Sequence, residues 1–232
     1  MTDTPQLSIV VPVYNEEQTV GAVVERLLTV DLPLAREILV VNDGSTDGTR
    51  GVLDALTEAG ETLRVIHAPV NGGKGRAVRT GFAAARGSIV AIQDADLELD
   101  PAEIASLVAP ILAGQTDAVY GSRFLEGGSG TPLATLAANR LLTMLTNLLY
   151  GAALTDMETC YKVMRADVAK GLGLECERFD IEPEITAKLL RGGHRILERP
   201  VKFQPRSRAQ GKKIGWRDGL QAVAVLVRYR DW

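Results

Sequence analysis

Apolar residues along the chain fall into short unbroken runs separated by stretches of helical spacing. Runs at 7–14 (LSIVVPVY), 38–41 (ILVV), 63–68 and 88–93 read as four strands. Segments 16–29, 47–59 and 75–86 read as the helices between them, and Pro101 suits the start of a fourth helix, where its missing N–H costs nothing. Strands apolar on both faces and alternating with helices predict an α/β fold with a mostly parallel sheet covered on both sides. The second half is patterned differently. Residues 118–123, 158–164 and 196–203 read as strands and 183–190 as a helix. The chain closes on a helix-like run at 214–229.

Segment 133–154 follows a glycine-rich stretch and is about twenty residues long and mostly apolar, enough to raise a transmembrane reading. Arg140 near its centre, with Asn139, Asn147 and several Thr, argues instead for an amphipathic helix on a membrane or partner, or for a long core helix. The start, MTDTPQLS, carries no signal-peptide pattern. Cys160 and Cys176 are too few for a disulfide framework or a zinc site, and a reduced cytoplasmic setting is the expectation.

Charge changes the picture more than composition does. The net charge is −3, yet residues 191–230 hold eleven Lys and Arg against two acidic residues. That distribution predicts a surface that meets an anion, or a solvated basic tail.

Candidate chemistry gathers where the strands end. "VAIQDADLELDP" (90–101) sets Asp94, Asp96 and Glu98 at every second position after a buried run. If extended geometry persisted, the three would point one way. Clustered carboxylates repel unless a cation joins them, and hard oxygen ligands suit Mg²⁺ or Mn²⁺. The same stretch also reads as an acidic loop capping the next helix through Asp100. The first strand ends in "VPVYNEE", the second in "VNDGSTDGT" and the third in "NGGKGRA", whose Lys74 would approach a phosphate. Neither the P-loop nor the G-x-G-x-x-G order is present.

Together these stretches resemble family 2 glycosyltransferases of the GT-A fold. Pro12, Tyr14 and Glu16, Asp43, Asp94 and Asp96 carry the resemblance. "GSRF" (121–124), "DMETCYKVMR" (156–165), "EPEITAKLLRGGHRILERPVKF" (182–203) and "PRSRAQGKKIGWRDG" (205–219) are similar to the branch of dolichol- and polyprenyl-phosphate hexose synthases. The resemblance implies one GT-A domain over 1–232, with a nucleotide-sugar half (1–123) and an acceptor half with interfacial helices (124–232). It implies that Pro12, Tyr14, Glu16, Asp43 and Lys74 meet the nucleotide sugar, with Asp94 and Ala95 near ribose and diphosphate. Asp94, Asp96 and Glu98 would hold the metal. Arg123, Arg140, Arg206 and Arg208 would meet phosphates, with Asp96, Arg123 and Arg140 central to catalysis. Asn42 stands where many relatives have Asp, and Cys160 where glycine is frequent.

The implied reaction is inverting transfer of a hexose from a GDP-mannose or UDP-glucose type donor to a polyprenyl or dolichyl phosphate. A phosphate monoester is largely dianionic at pH 7 and needs no strong base. A saccharide hydroxyl acceptor, the alternative, would need one, and Asp156 or Glu182 would supply it. The implied setting is peripheral, on the cytoplasmic face of a membrane, with no nucleic-acid partner and homo-oligomerisation left open. His67 and His194 read as structural or surface residues.

Overall fold

The structure, a computed structural model, describes residues 5–57, 60–126, 130–206 and 216–232. Seven strands are β1 (Leu7–Val13), β2 (Arg36–Asn42), β3 (Leu63–His67), β4 (Ile89–Ile92), β5 (Ala118–Ser122), β6 (Lys162–Arg165) and β7 (Ile196–Pro200). They form one sheet in the order β3-β2-β1-β4-β6-β5-β7. All neighbours are parallel except β6, which runs antiparallel between β4 and β5.

Alternation along the strands builds two cores. Leu7, Ile9 and Val11 face one side, with helix α1 (Val20–Thr29) and helix α4 (Ile104–Leu112). In α1, Val20, Val23, Val24 and Leu27 recur at helical spacing and are all buried. Val10, Leu39, Val90 and Ile92 face the other side, under α3 (Lys74–Ala84), α7 (Ile181–Arg191) and α8 (Trp216–Arg228). Each such side chain contributes about 1.5–3 kcal/mol by burial. Helix α3 lies close on β1: a Cβ at Gly81 would stand 2.2 Å from Val10 Cγ1. That approach fixes the first residue of α3, Lys74, at the carboxyl end of the sheet.

Several boundaries differ from the sequence reading. Strand β6 begins at Lys162 rather than 158, because residues 157–161 turn around the Lys162 ammonium, which bonds the carbonyls of Met157 and Thr159. The helix expected over 133–154 is α5 (Leu133–Tyr150). Gly151 at φ 66° ends it, and the Asn147 amide bonds both the N–H and the carbonyl of Leu154. Helices α2 (Thr49–Leu56) and α6 (Ala166–Gly171) complete the set, and α6 was not foreseen.

Helix α5 buries Leu142, Thr143 and Thr146 while Leu133, Leu141, Met144 and Leu148 are exposed on the opposite side. Helix α8 buries Ala222, Val225 and Leu226, with Tyr229 buried just past its end, and exposes Leu220 and Val227. Its docking is fixed by Lys188, which pairs with Glu184 in α7 and lies over the Tyr229 and Trp232 rings. Among the described residues, no helix is long and apolar enough to cross a membrane.

Candidate active site

From β1 the chain proceeds to β2 and β3 on one side, then returns to place β4 on the other side of β1. Ligand crevices in open α/β sheets lie at such reversals, beyond the strands' carboxyl ends. The loops after β1, β2, β3 and β4 meet there.

The first two loops are stitched together. Asn15, at φ 50°, bonds Thr46, and its own N–H donates to Ser45 Oγ at 2.9 Å. The Glu16 N–H donates to Thr49 Oγ1 at 2.9 Å. Pro12 lies in β1 beyond its last pair with β4, and Tyr14 is half-buried at the loop's start. Asp43 is buried, and its carboxylate accepts from the N–H groups of Gly72 and Gly73, so it clamps the loop after β3. Gly44 allows this contact: at φ 67°, a Cβ would sit 2.5 Å from Asn71 N. Asn42, where Asp is frequent in the resembling family, bonds His67 and the Ser45 N–H. His67 also meets Asp54, and His194 meets Asp117, so both histidines have local structural partners.

The three carboxylates after β4 do not alternate as extended geometry would require. The strand stops at Ile92, and Leu97 turns back at φ 62°. Asp96 Oδ1 accepts the Glu98 N–H at 3.1 Å, and Asp100 caps the following turn through the Ala102 N–H. Both readings of the stretch are therefore present: it caps, and it gathers charge. Burial pushes the Asp96 carboxyl up to about 7, with repulsion from Asp94 and Glu98 adding to it and Arg206 opposing it. Ala95 is buried beneath them.

Two cations already meet these groups. Lys74 Nζ lies 2.8 Å from Asp94 and 2.9 Å from Glu182. Burial opposes its charge, but the two carboxylates hold its pKa well above the ordinary value. Arg206 reaches Asp96 at 3.2 Å and grips both Glu16 oxygens at 3.0 and 3.1 Å, while its N–H donates to Glu98 at 2.6 Å.

After β5, Arg123 binds Asp156 through Nε and Nη2, both at 2.7 Å, between the rings of Phe124 and Phe203. Asp156 and Glu182 are buried. Burial raises the Glu182 pKa, but Lys162 and Lys74 more than offset this and hold it below the ordinary range. Both carboxylates expected as bases are thus engaged in ion pairs. Arg140 is exposed on α5, and Arg208 falls outside the described residues.

Glu158, Lys162 and Cys160 escaped the sequence reading as site groups. Lys162 is buried and pairs with Glu182 at 2.5 Å. Cys160 is buried, and burial beside Asp94 keeps it a neutral thiol. Glu158 is partly exposed, but its Oε1 is buried with no hydrogen-bond partner among the described residues. Burial pushes its carboxyl up to about 7, against the pull of Lys162. The available signal was a Glu and a Lys set within the mostly apolar "METCYKVM".

Among the described residues, no three His, Cys, Asp or Glu side chains are already gathered in metal-binding geometry. Mg²⁺ typically takes only one or two carboxylates and completes its shell with water and substrate phosphate. The donor set fits such an ion: a half-buried carboxyl at Asp96, repelled by two others and already paired with a guanidinium.

The chain is similar to several known proteins. A dodecaprenyl-phosphate galacturonate synthase of Rhizobium johnstonii is 34% identical over 75% of this chain and 52% of its own length. A polyprenol monophosphomannose synthase of Mycolicibacterium smegmatis is 28% identical over 91% of this chain and 82% of its own length. The chain spans about half the length of the Rhizobium relative and about a third of the AglD glycosyltransferase of Haloferax volcanii. A glucosyl-3-phosphoglycerate synthase from Mycobacterium tuberculosis, solved with Mg²⁺ and uridine diphosphate, superposes with a TM-score of 0.75. It is 22% identical and the match covers 97% of this chain and 79% of that one, a likeness of fold that makes this a GT-A sheet. The family model described as glycosyl transferase family 2 matches residues 8–173, a span that takes in Glu16, Asp43 and the carboxylates after β4. The chain belongs to that family.

Proposed function

We propose that this glycosyltransferase moves a hexose, with inversion, from a nucleoside diphosphate sugar of the GDP-mannose or UDP-glucose type to a polyprenyl or dolichyl phosphate. The observation that carries the proposal is the set of Glu16, Asp94, Asp96 and Glu98 around the β1/β4 reversal, with Lys74 and Arg206 among them. The names of the Rhizobium and Mycolicibacterium relatives support the acceptor class.

In this reading Asp96, with Asp94 and Glu98, holds Mg²⁺ or Mn²⁺. The bound ion supplies charge that stabilises the leaving diphosphate. Pro12, Tyr14 and Glu16 lie against base and ribose, and Asp43 serves them by holding the loop after β3. Lys74 keeps Asp94 oriented rather than gripping phosphate alone. A dianionic lipid phosphate attacks the anomeric carbon, and Arg123, Arg140, Arg206 and Arg208 offset the charge of the acceptor and donor phosphates. The engagement of Asp156 by Arg123, and of Glu182 by two lysines, favours an acceptor that needs no strong base. The division of labour follows the chain, with 1–123 serving the donor and 124–232 the acceptor.

The exposed apolar stripes of α5 and α8 would rest on an anionic leaflet with Arg140 of α5 beside them, and the basic Lys212 and Lys213, outside the described residues, would add charge for it. A donor screen with a polyprenyl phosphate acceptor and identification of the lipid product tests the proposal. Transfer confined to a saccharide hydroxyl would move the assignment to the soluble-acceptor alternative.

A further inference from the structure

Arg206 occupies the carboxylates that would hold the divalent ion, and we propose that it is a built-in competitor of that ion. It holds the carboxylates of the crevice together and must leave Asp96 before the cation enters. This rests on the cation reading of Asp96 given above. One residue touches three carboxylates from two separate loops: Glu16 after β1, and Asp96 and Glu98 after β4. The guanidinium is mostly buried, with 16% of its side chain exposed, and Asp96 and Glu16 beside it are 15% and 10% exposed. These are shielded contacts, not the screened pairs of an open surface.

The seat is imperfect in one respect. Arg206 Nε is buried with no hydrogen-bond partner among the described residues. A buried donor left unmatched is a standing cost, relieved when the side chain moves to a partner that uses its whole fork. A phosphate is such a partner, since it accepts a guanidinium bidentately. A hard cation on Asp96 needs oxygen at close range and repels a guanidinium on the same carboxylate. The cation and Arg206 therefore exclude each other at Asp96. A nucleoside diphosphate favours the exchange twice, by ligating the ion and by receiving the displaced arginine. Cation and nucleotide then bind cooperatively through one shared displacement.

The test reads cation binding rather than turnover. Free Mn²⁺ is followed by its paramagnetic resonance signal as it is titrated into the wild-type chain, Arg206→Gln and Lys202→Gln, with and without UDP or GDP. Lys202 is exposed and four residues away, so it controls for simple loss of one positive charge. Without nucleotide, Arg206→Gln is expected to bind Mn²⁺ about tenfold tighter than wild type, and Lys202→Gln less than about twofold tighter. Adding the nucleotide is expected to narrow the gap. Equal affinity in wild type and Arg206→Gln, or equal tightening in both variants, would overturn the inference while leaving the cation reading standing. If no chain binds Mn²⁺ even with nucleotide, the cation reading falls and the inference with it.

Discussion

Asp96 sits under opposing demands: burial and two like charges favour its neutral form, and Arg206 favours its charged one. A divalent ion resolves the conflict, so Asp96→Asn should keep the fold and lower cation-dependent turnover on the order of 10²–10³-fold. Steady-state rates at varied Mn²⁺, beside a thermal melt, check both halves. Asp156 behaves differently. Its carboxylate is the partner of a buried Arg123, so Asp156→Asn strands a charge and should cost about 3–5 kcal/mol of stability, read from denaturant unfolding. Lost activity in that variant is therefore no proof of a base. Glu158 gives a pH-dependent case. Its folded pKa lies near 7, above the ordinary 4.5, so the fold favours the neutral acid. That contribution is present below about pH 4.5 and is lost as pH rises through about 7, by at most about 3 kcal/mol given its partial exposure. Glu158→Gln should thus melt higher than wild type at pH 8 and no higher at pH 4.5. At this scale "VPVYNEE", "NDGS" and "DAD" were legible because short motifs sit where strands end. The Arg206 and Lys74 contacts were not, because they join residues far apart in the chain: Arg206 reaches Glu16 and Asp96, and Lys74 reaches Glu182.

At the scale of elements, buried runs such as LSIVVPV and ILVV announced their strands, and i, i+3, i+4, i+7 spacing announced α1. The pattern fails where side chains override it. Residues 158–161 look like the start of a strand but turn around the Lys162 ammonium, and the extended run after Ile92 is broken by Leu97 at positive φ. The direction of β6 was equally invisible, since a buried strand reads the same whichever way it pairs. The apolar length of α5 left its setting open until its buried and exposed sides were known. Leu141 and Leu148 are exposed, so replacing both by Glu should shift the melting temperature little. The same pair of changes should weaken binding to anionic vesicles, as should Lys212→Glu with Lys213→Glu. Vesicle flotation at low and high salt reads this. Each basic residue near such a surface is worth about 1 kcal/mol at low salt.

Across the whole molecule, one sheet carries both charged clusters: the β1/β4 reversal holds Glu16, Asp94, Asp96 and Glu98, while Arg123 follows β5, Lys162 opens β6 and Glu182 lies in α7. The α/β alternation made the sheet legible in the sequence, and the resemblance made the family legible. The lattice of ion pairs linking Asp94 through Lys74 and Glu182 to Lys162 needed coordinates. With the separate Arg123–Asp156 pair, it engages both carboxylates expected as bases. The most direct measurement is an assay with labelled nucleoside diphosphate sugars, a polyprenyl phosphate in anionic vesicles and a soluble saccharide in parallel, each with and without a chelator. The expected result is a glycosylated lipid phosphate that forms only when the cation is present. Sugar transfer to the saccharide alone, or lipid product undiminished by the chelator, would contradict the account.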